Sequence, residues 1–273
     1  MTRPGGWMDC KKWLLGSLGA VALSLPAWGQ SKGAFNQWQS PTYLAEAFYK
    51  IALENEYQPG LAPLRRWQRP IHYQLQFAGM PKHPKVAQLV HTHFQHLAAI
   101  TGMSIEANTR SNNHPANFQV ILTKDASYQQ MIERHTDAQS SDLHVNSHCM
   151  ASIRVNKTGE ITQAHVIIPV DHAMSRGLLP ACVVEELTQA MGLPNDANDV
   201  HPSIANDASR LSLLTGLDLI LLQLLYHPQL QAGMRLPVLK KKIPNILAAF
   251  EQQGRIQKAA QTVKAQGVYR LLY

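Results

Sequence analysis

The chain has 273 residues, a formal net charge of +7 and three cysteines. Its densest basic run, Lys240-Lys241-Lys242, has no interleaved aromatic residue and reads as a solvated helix end, which argues against nucleic acid as a partner. Beyond the N-terminal segment no stretch is long and apolar enough to span a bilayer, and neither internal repeats nor low-complexity segments divide the chain.

Residues 1–29 have the layout of a signal peptide. Arg3, Lys11 and Lys12 make a positive n-region, Trp13 to Leu25 is apolar, and Ala27-Trp28-Gly29 puts small residues at both recognition positions of a cleavage site. The apolar run is shorter than the about 20 residues of a spanning helix. Cleavage after Gly29 and a periplasmic or secreted product without a transmembrane segment are therefore expected. Beyond that cut only Cys149 and Cys182 remain. In an exported protein they most simply form one disulfide, whereas in the cytosol they would be two free thiols. The bond would close a loop of about 34 residues and stabilise the fold by roughly 3–4 kcal/mol.

In chain order, Pro41 to Tyr57 reads as a helix with Leu44, Ala47, Phe48, Ile51 and Ala52 on one stripe. Ile71, Tyr73, Leu75 and Phe77 alternate with polar residues as a half-buried strand. Pro84 to Ile100 is helical, with Val86, Leu89, Val90, Phe94 and Leu97 as its core stripe and Gly102 as its stop. On that helix His91, His93 and His96 read as a solvated face. Phe118, Val120 and Leu122 mark a second strand, while the polar stretch Asp125 to Ser147 supports no assignment. Ile153 and Val155 lead into a turn at Asn156-Lys157-Thr158-Gly159, and Ala164 to Val170 alternates as a further strand. A helix follows from near Pro180 to Gly192. Thr215 and Asp218 then have capping-box spacing at the start of an apolar helix ending at Tyr226. Residues 236 to 273 read as one or two terminal helices. The expected division is an N-terminal helical extension (30–64), a main domain (65–235) and a C-terminal helical segment (236–273).

The segment Val184 to Leu193 carries the chemistry. Helical spacing puts Glu185, Gln189 and Gly192 on one face, with Glu186 on its flank and Val183, Leu187, Ala190 and Met191 opposite. Its pattern, E-E-x-x-Q-x-x-G-L, is similar to the zinc-protease pattern H-E-x-x-H-x-x-G-L. In that pattern two imidazoles bind zinc and the glutamate takes a proton from the metal-bound water. Here Glu185 and Gln189 stand at the imidazole positions and Glu186 at the general-base position. The third-ligand position falls on Asn195, with Asp196 adjacent.

The region from about Arg66 to Tyr226 resembles a family of proteobacterial exported proteins known only as a domain of unknown function. The resemblance rests on Arg66-Trp67, Pro70-Ile71, Thr101-Gly102, Cys182, Glu185-Glu186, Gln189-Ala190, Gly192-Leu193, Asn195-Asp196, Asn206-Asp207 and Leu225-Tyr226. That family looks like a degenerate branch of the metzincin-type zincins, and the segment Leu214 to Tyr226 looks like the C-terminal helix of matrix-metalloprotease-like domains. The resemblance implies an α+β fold in which a mixed, mostly parallel sheet packs on the helix at 84–100 and the motif helix, with a helical part behind. Asn206-Asp207 would then lie where metzincins have their methionine turn.

A carboxylate and an amide in place of two imidazoles remove most of the preference for zinc, so no zinc cofactor is expected. Three readings remain. The scaffold binds an extended peptide or envelope component along an edge strand near Ile161 to Val170. Alternatively, Glu185, Glu186 and Asp196, with Asp207, form an oxygen-rich site for a hard cation or for hydrolysis. In the third, Glu185 and Gln189 hydrogen-bond the loop after Gly192 and Glu186 serves its own helix. His144 and His148, beside Cys149, and His201 are minor metal candidates. Asp196-Ala197-Asn198-Asp199 reads as an Asx-rich turn rather than a calcium loop.

Overall fold

The computed structural model describes residues 37–54, 60–109, 114–136 and 147–273. The signal-peptide reading, the last turn predicted for the first helix and the position of His144 lie outside them.

Five strands form one mixed sheet in the order β2-β1-β3-β5-β4. They are β1 (Ile71–Phe77), β2 (Ile105–Ala107), β3 (Phe118–Thr123), β4 (Met150–Val155) and β5 (Ile161–Pro169). All neighbours are parallel except β4 and β5, which form a hairpin. Asn156 makes its turn: Oδ1 accepts from the Thr158 backbone, the Thr158 hydroxyl and the Glu160 backbone.

Parallel strands inside a sheet must be apolar on both faces, and β3 and β5 are. Val120, Leu122, Val166 and Ile168 face the main core, which they share with α2 (Pro84–Thr101) and α5 (Leu179–Gln189). Ile121 and Ile167 face the other way, under Tyr128, Met131 and Ile132 of α3 (Tyr128–His135). α3 falls in the stretch that supported no assignment: it is short and polar, with only Tyr128, Met131 and Ile132 of its eight residues buried.

This topology corrects the edge-strand reading. β5 is internal, and the edge beside the motif helix is β4. Alternation at Ala164, Val166 and Ile168 suggested one buried face, yet the intervening Ile167 is also fully buried. Val170 does not end the strand; it opens α4 (Val170–Ser175).

A helical layer closes the main core. α6 (Gly216–Leu225) begins with the expected capping box of Thr215 and Asp218. It is buried along nearly its whole length by α1 (Pro41–Leu53) and by α8 (Arg255–Lys264). α7 (Leu236–Gln252) covers α1, and α9 (Val268–Leu272) reaches α2, so the C-terminal part has three helices rather than one or two. The Asp218 carboxylate does more than cap. It accepts from Ser203 Oγ (2.6 Å), the Thr215 backbone (2.8 Å), Thr215 Oγ1 (2.9 Å) and the Ile204 backbone (3.2 Å), and so pins the loop before α6. Asp218→Ala would leave those buried donors unpaired, and a loss of about 3 kcal/mol or more is expected in urea unfolding.

The histidine face of α2 is also corrected. His93 is fully buried and His96 is 4% exposed, because α5 packs over the first and Gly267 lies against the ring of the second. Burial, helped by its neighbour His96, holds the His93 pKa down at about 3, and burial holds His96 at about 4. Both are neutral in the fold but take up protons near pH 6.5 when unfolded. Their contribution is therefore whole above about pH 6.5 and lost as the pH falls toward 4. Each contributes about 1.4 kcal/mol per pH unit, so stability should drop on the order of 5 kcal/mol between pH 6.5 and 4. Denaturant midpoints measured across that range check this, and His96→Gln should roughly halve the slope.

Candidate functional site

α5 runs from Leu179 to Gln189 with Pro180 in its first turn, where a missing N–H costs nothing. Val183, Leu187, Ala190 and Met191 are fully buried, as the predicted inner face requires. Cys182 is bonded to Cys149, the residue before β4, with Cα atoms 5.8 Å apart. The bond thus ties the motif helix to the edge strand, and a disulfide of this kind fits an oxidising compartment. Among the described residues no helix is long and apolar enough to cross a membrane.

Three helix C-termini converge on the segment Arg65-Arg66-Trp67. The last carbonyls of a helix lack internal partners and carry partial negative charge. Arg65 Nη2 donates to Ala52 O (3.2 Å) and Glu54 O (2.8 Å) at the end of α1. Arg66 Nη1 points at Leu225 O (2.8 Å), His227 O (3.3 Å) and Leu230 O (2.8 Å) after α6, and its guanidinium lies over the Tyr226 ring. Trp67 Nε1 donates to Ala190 O (2.9 Å), while Tyr226 Oη donates to Met191 O (2.8 Å). Gly192 then turns the chain at φ +114°, and a Cβ there would lie 2.2 Å from Arg65 O. Conformation and space both demand glycine.

Past that turn, the loop from Asn195 to Asp207 folds back on the helix. Glu185, Asp196 and Asp207 each bring a carboxylate oxygen within 4.8 Å of the others. Gln189 Nε2 donates to Asp196 Oδ1 at 3.0 Å. Four of the six candidate residues therefore meet. The cluster borders a pocket of about 10 Å³, lined by Ile51, Leu193, Ala205 and Leu221 among others, room for about one water molecule. A ligand of any size must sit outside it.

The other two candidates lie elsewhere. Asn195 is buried, and its amide donates to Lys50 O (3.2 Å) while its backbone N–H donates to Ile51 O (3.2 Å), which completes the end of α1. Glu186 is 6% exposed and lies on the side of α3. Burial first, then the carboxylates of Glu186 and Asp125, push the Tyr128 phenol up, against a hydrogen bond with Ser147. The general-base position and the carboxylate cluster are thus on different flanks of one helix. The loop itself has the expected Asx character: Asn198 Oδ1 accepts from the Ala208 backbone, and Asn206 Nδ2 donates to Asn198 O and Val200 O. The His201 ring faces Asn206.

The model of the family described as "Protein of unknown function (DUF2927)" matches residues 41–245, about three quarters of the chain. The chain belongs to that family. The DUF2927 match takes in α1, the whole sheet, the motif helix and the start of α7. Comparison with curated proteins finds no match.

Chemically, the cluster of this DUF2927 member offers oxygen donors only, a set that suits hard cations and suits zinc poorly. The edge strand β4 and the clasp at Arg65–Trp67 are the parts that the motif could not reveal. The clasp left only the pair Arg66-Trp67 as a signal, and β4 was hidden by the choice between two strands of one hairpin. Gly192→Ala is expected to cost about 3 kcal/mol or more, since both the backbone and Arg65 must shift. Its unfolding midpoint, compared with that of Gly177→Ala in an open turn, measures this.

Proposed function

We propose that this is an exported, zincin-like protein that no longer uses zinc and that binds an extended peptide, such as an exposed segment of an envelope component, along β4. The observation that carries the proposal is the position of β4. It ends the sheet beside the motif helix, the Cys149–Cys182 bond ties it there, and among the described residues no strand pairs with its outer side. An open edge held rigid in this way is what strand addition requires, since main-chain hydrogen bonds supply the affinity. The element order strand, helix, strand, hairpin and motif helix agrees with the metzincin resemblance. Loss of both imidazoles and the separation of Glu186 from the cluster speak against zinc proteolysis.

A second reading is favoured by one observation, the three carboxylates within 4.8 Å. It makes the protein a peptidase-like hydrolase that uses Glu185 and Glu186 with a non-standard metal or carboxylate site. The two readings separate in one experiment. Peptides selected from a random display library should, when bound, slow hydrogen exchange of the amides in Met150–Val155. Ser152→Pro and Ile153→Pro alter neighbouring amides that face opposite sides of the strand. One of them should weaken binding by about 10-fold or more with the fold intact. Glu186→Gln should leave binding within about twofold. Peptide cleavage abolished by Glu186→Gln, or protection confined to other strands, would contradict the proposal.

A further inference from the structure

Where β3 and β5 end and β4 begins, two imidazoles meet. His148 precedes the disulfide cysteine at the entry of β4, and His172 lies in α4. Their rings are 5.1 Å apart, with His148 Nδ1 2.9 Å from His172 Nε2. The other nitrogen of His172, Nδ1, faces Asp125 Oδ1 at 3.5 Å. Asp171 holds this group together, because its Oδ1 accepts from the backbone N–H of both Asp125 (2.8 Å) and His172 (3.0 Å).

We propose that His148 and His172 are adjacent ligands of one transition-metal ion of the Cu(II) class, with Asp125 orienting His172. Three features argue for this. A carboxylate facing Nδ1 favours the proton there, which leaves the Nε2 lone pair directed at His148; carboxylate–histidine–metal sites are built this way. With metal–nitrogen bonds of about 2.0–2.1 Å, adjacent ligands of a square-planar ion are about 2.9 Å apart, and tetrahedral ligands about 3.3 Å. The observed 2.9 Å, which is also the length of the hydrogen bond now joining the rings, brings both nitrogens within reach of one ion, and nitrogen ligands bind Cu(II) more tightly than zinc. Third, both histidines are on fixed elements, His148 through the Cys149–Cys182 bond and His172 through its helix and Asp171. The two rings are held side by side before a metal arrives, and binding replaces the hydrogen bond between them.

Binding needs no net loss of protons from the neutral pair: His148 moves its ring proton from Nδ1 to Nε2, and water fills the remaining positions. Burial, together with the nearby His172 and Arg176, keeps the His148 pKa below its usual value. Arg176 adds an unfavourable charge near the site. An ion here would add a second tie, beside the disulfide, at the start of the edge strand.

The test is Cu(II) titration of the oxidised protein, followed by equilibrium dialysis and electron paramagnetic resonance. One equivalent should bind with a tetragonal signal split by two nitrogens. His148→Gln and His172→Asn should each weaken it by about 100-fold or more, and Asp125→Asn by about 10–100-fold. Glu185→Gln, which alters the separate carboxylate cluster, should leave it unchanged. Ni(II) should compete better than Zn(II). Unchanged melting temperatures in the metal-free variants confirm that the fold is kept. Absence of one-equivalent binding, uptake unaffected by the two histidine changes, or tighter binding of Zn(II) than of Cu(II) would overturn the proposal.

Discussion

The convergence of three helix C-termini on Arg65-Arg66-Trp67 is the constraint on which the rest of this molecule depends. Carbonyls at a helix end must find donors, and a cluster of such ends repels itself unless positive charge is supplied. Arg65 serves the end of α1, Arg66 the end of α6 and Trp67 the end of the motif helix. Asn195 completes α1 from the other side. The turn at Gly192 is forced against the same segment. Because α1 and α6 also wall the space under Glu185 and Gln189, the clasp determines where the loop bearing Asp196 and Asp207 can run. The carboxylate cluster is a consequence of that packing.

The second constraint is covalent. Cys149–Cys182 joins the entry of β4 to the first turns of the motif helix and so holds the open sheet edge beside it. The motif helix and the entry of β4 that this bond joins carry two different environments. One is the oxygen-rich cluster of Glu185, Asp196 and Asp207. The other is the imidazole pair of His148 and His172. Hard and borderline ligands thus form separate groups, and Glu186, at the general-base position, is buried near Tyr128 of α3.

The main elements were legible because their signals are local. Alternation fixed β1 to the residue, the apolar stripe and Gly102 bounded α2 within one residue, and Thr215 with Asp218 announced the start of α6. The disulfide was legible because Cys149 and Cys182 are the only cysteines beyond the N-terminal segment that reads as a signal peptide. What could not be read depends on partners far along the chain. His93 and His96 lie off the apolar stripe of α2 and are buried only because α5 and the C-terminal residues cover that side. The choice of β4 over β5 as the edge is a pairing outcome, and a hairpin reads the same in either order. At the site, spacing brought Glu185 and Gln189 to one face correctly. The third-ligand position counted to Asn195, but Asn195 serves α1, and its neighbour Asp196 joins the cluster.

Under the function proposed above, the fold is zincin-like and lacks zinc ligands at two positions, Glu185 and Gln189. Restoring those positions tests it directly. In the double variant Glu185→His/Gln189→His, the new imidazoles and Asp196 would again present a mixed nitrogen and oxygen site on a helix already held by the clasp and the disulfide. Zinc content after dialysis, measured for the parent and the variant, decides the matter. The account predicts one additional tightly held zinc in the variant, lost again when Asp196→Ala is added. A parent that already holds zinc through Glu185, or a folded variant that gains none, would contradict it.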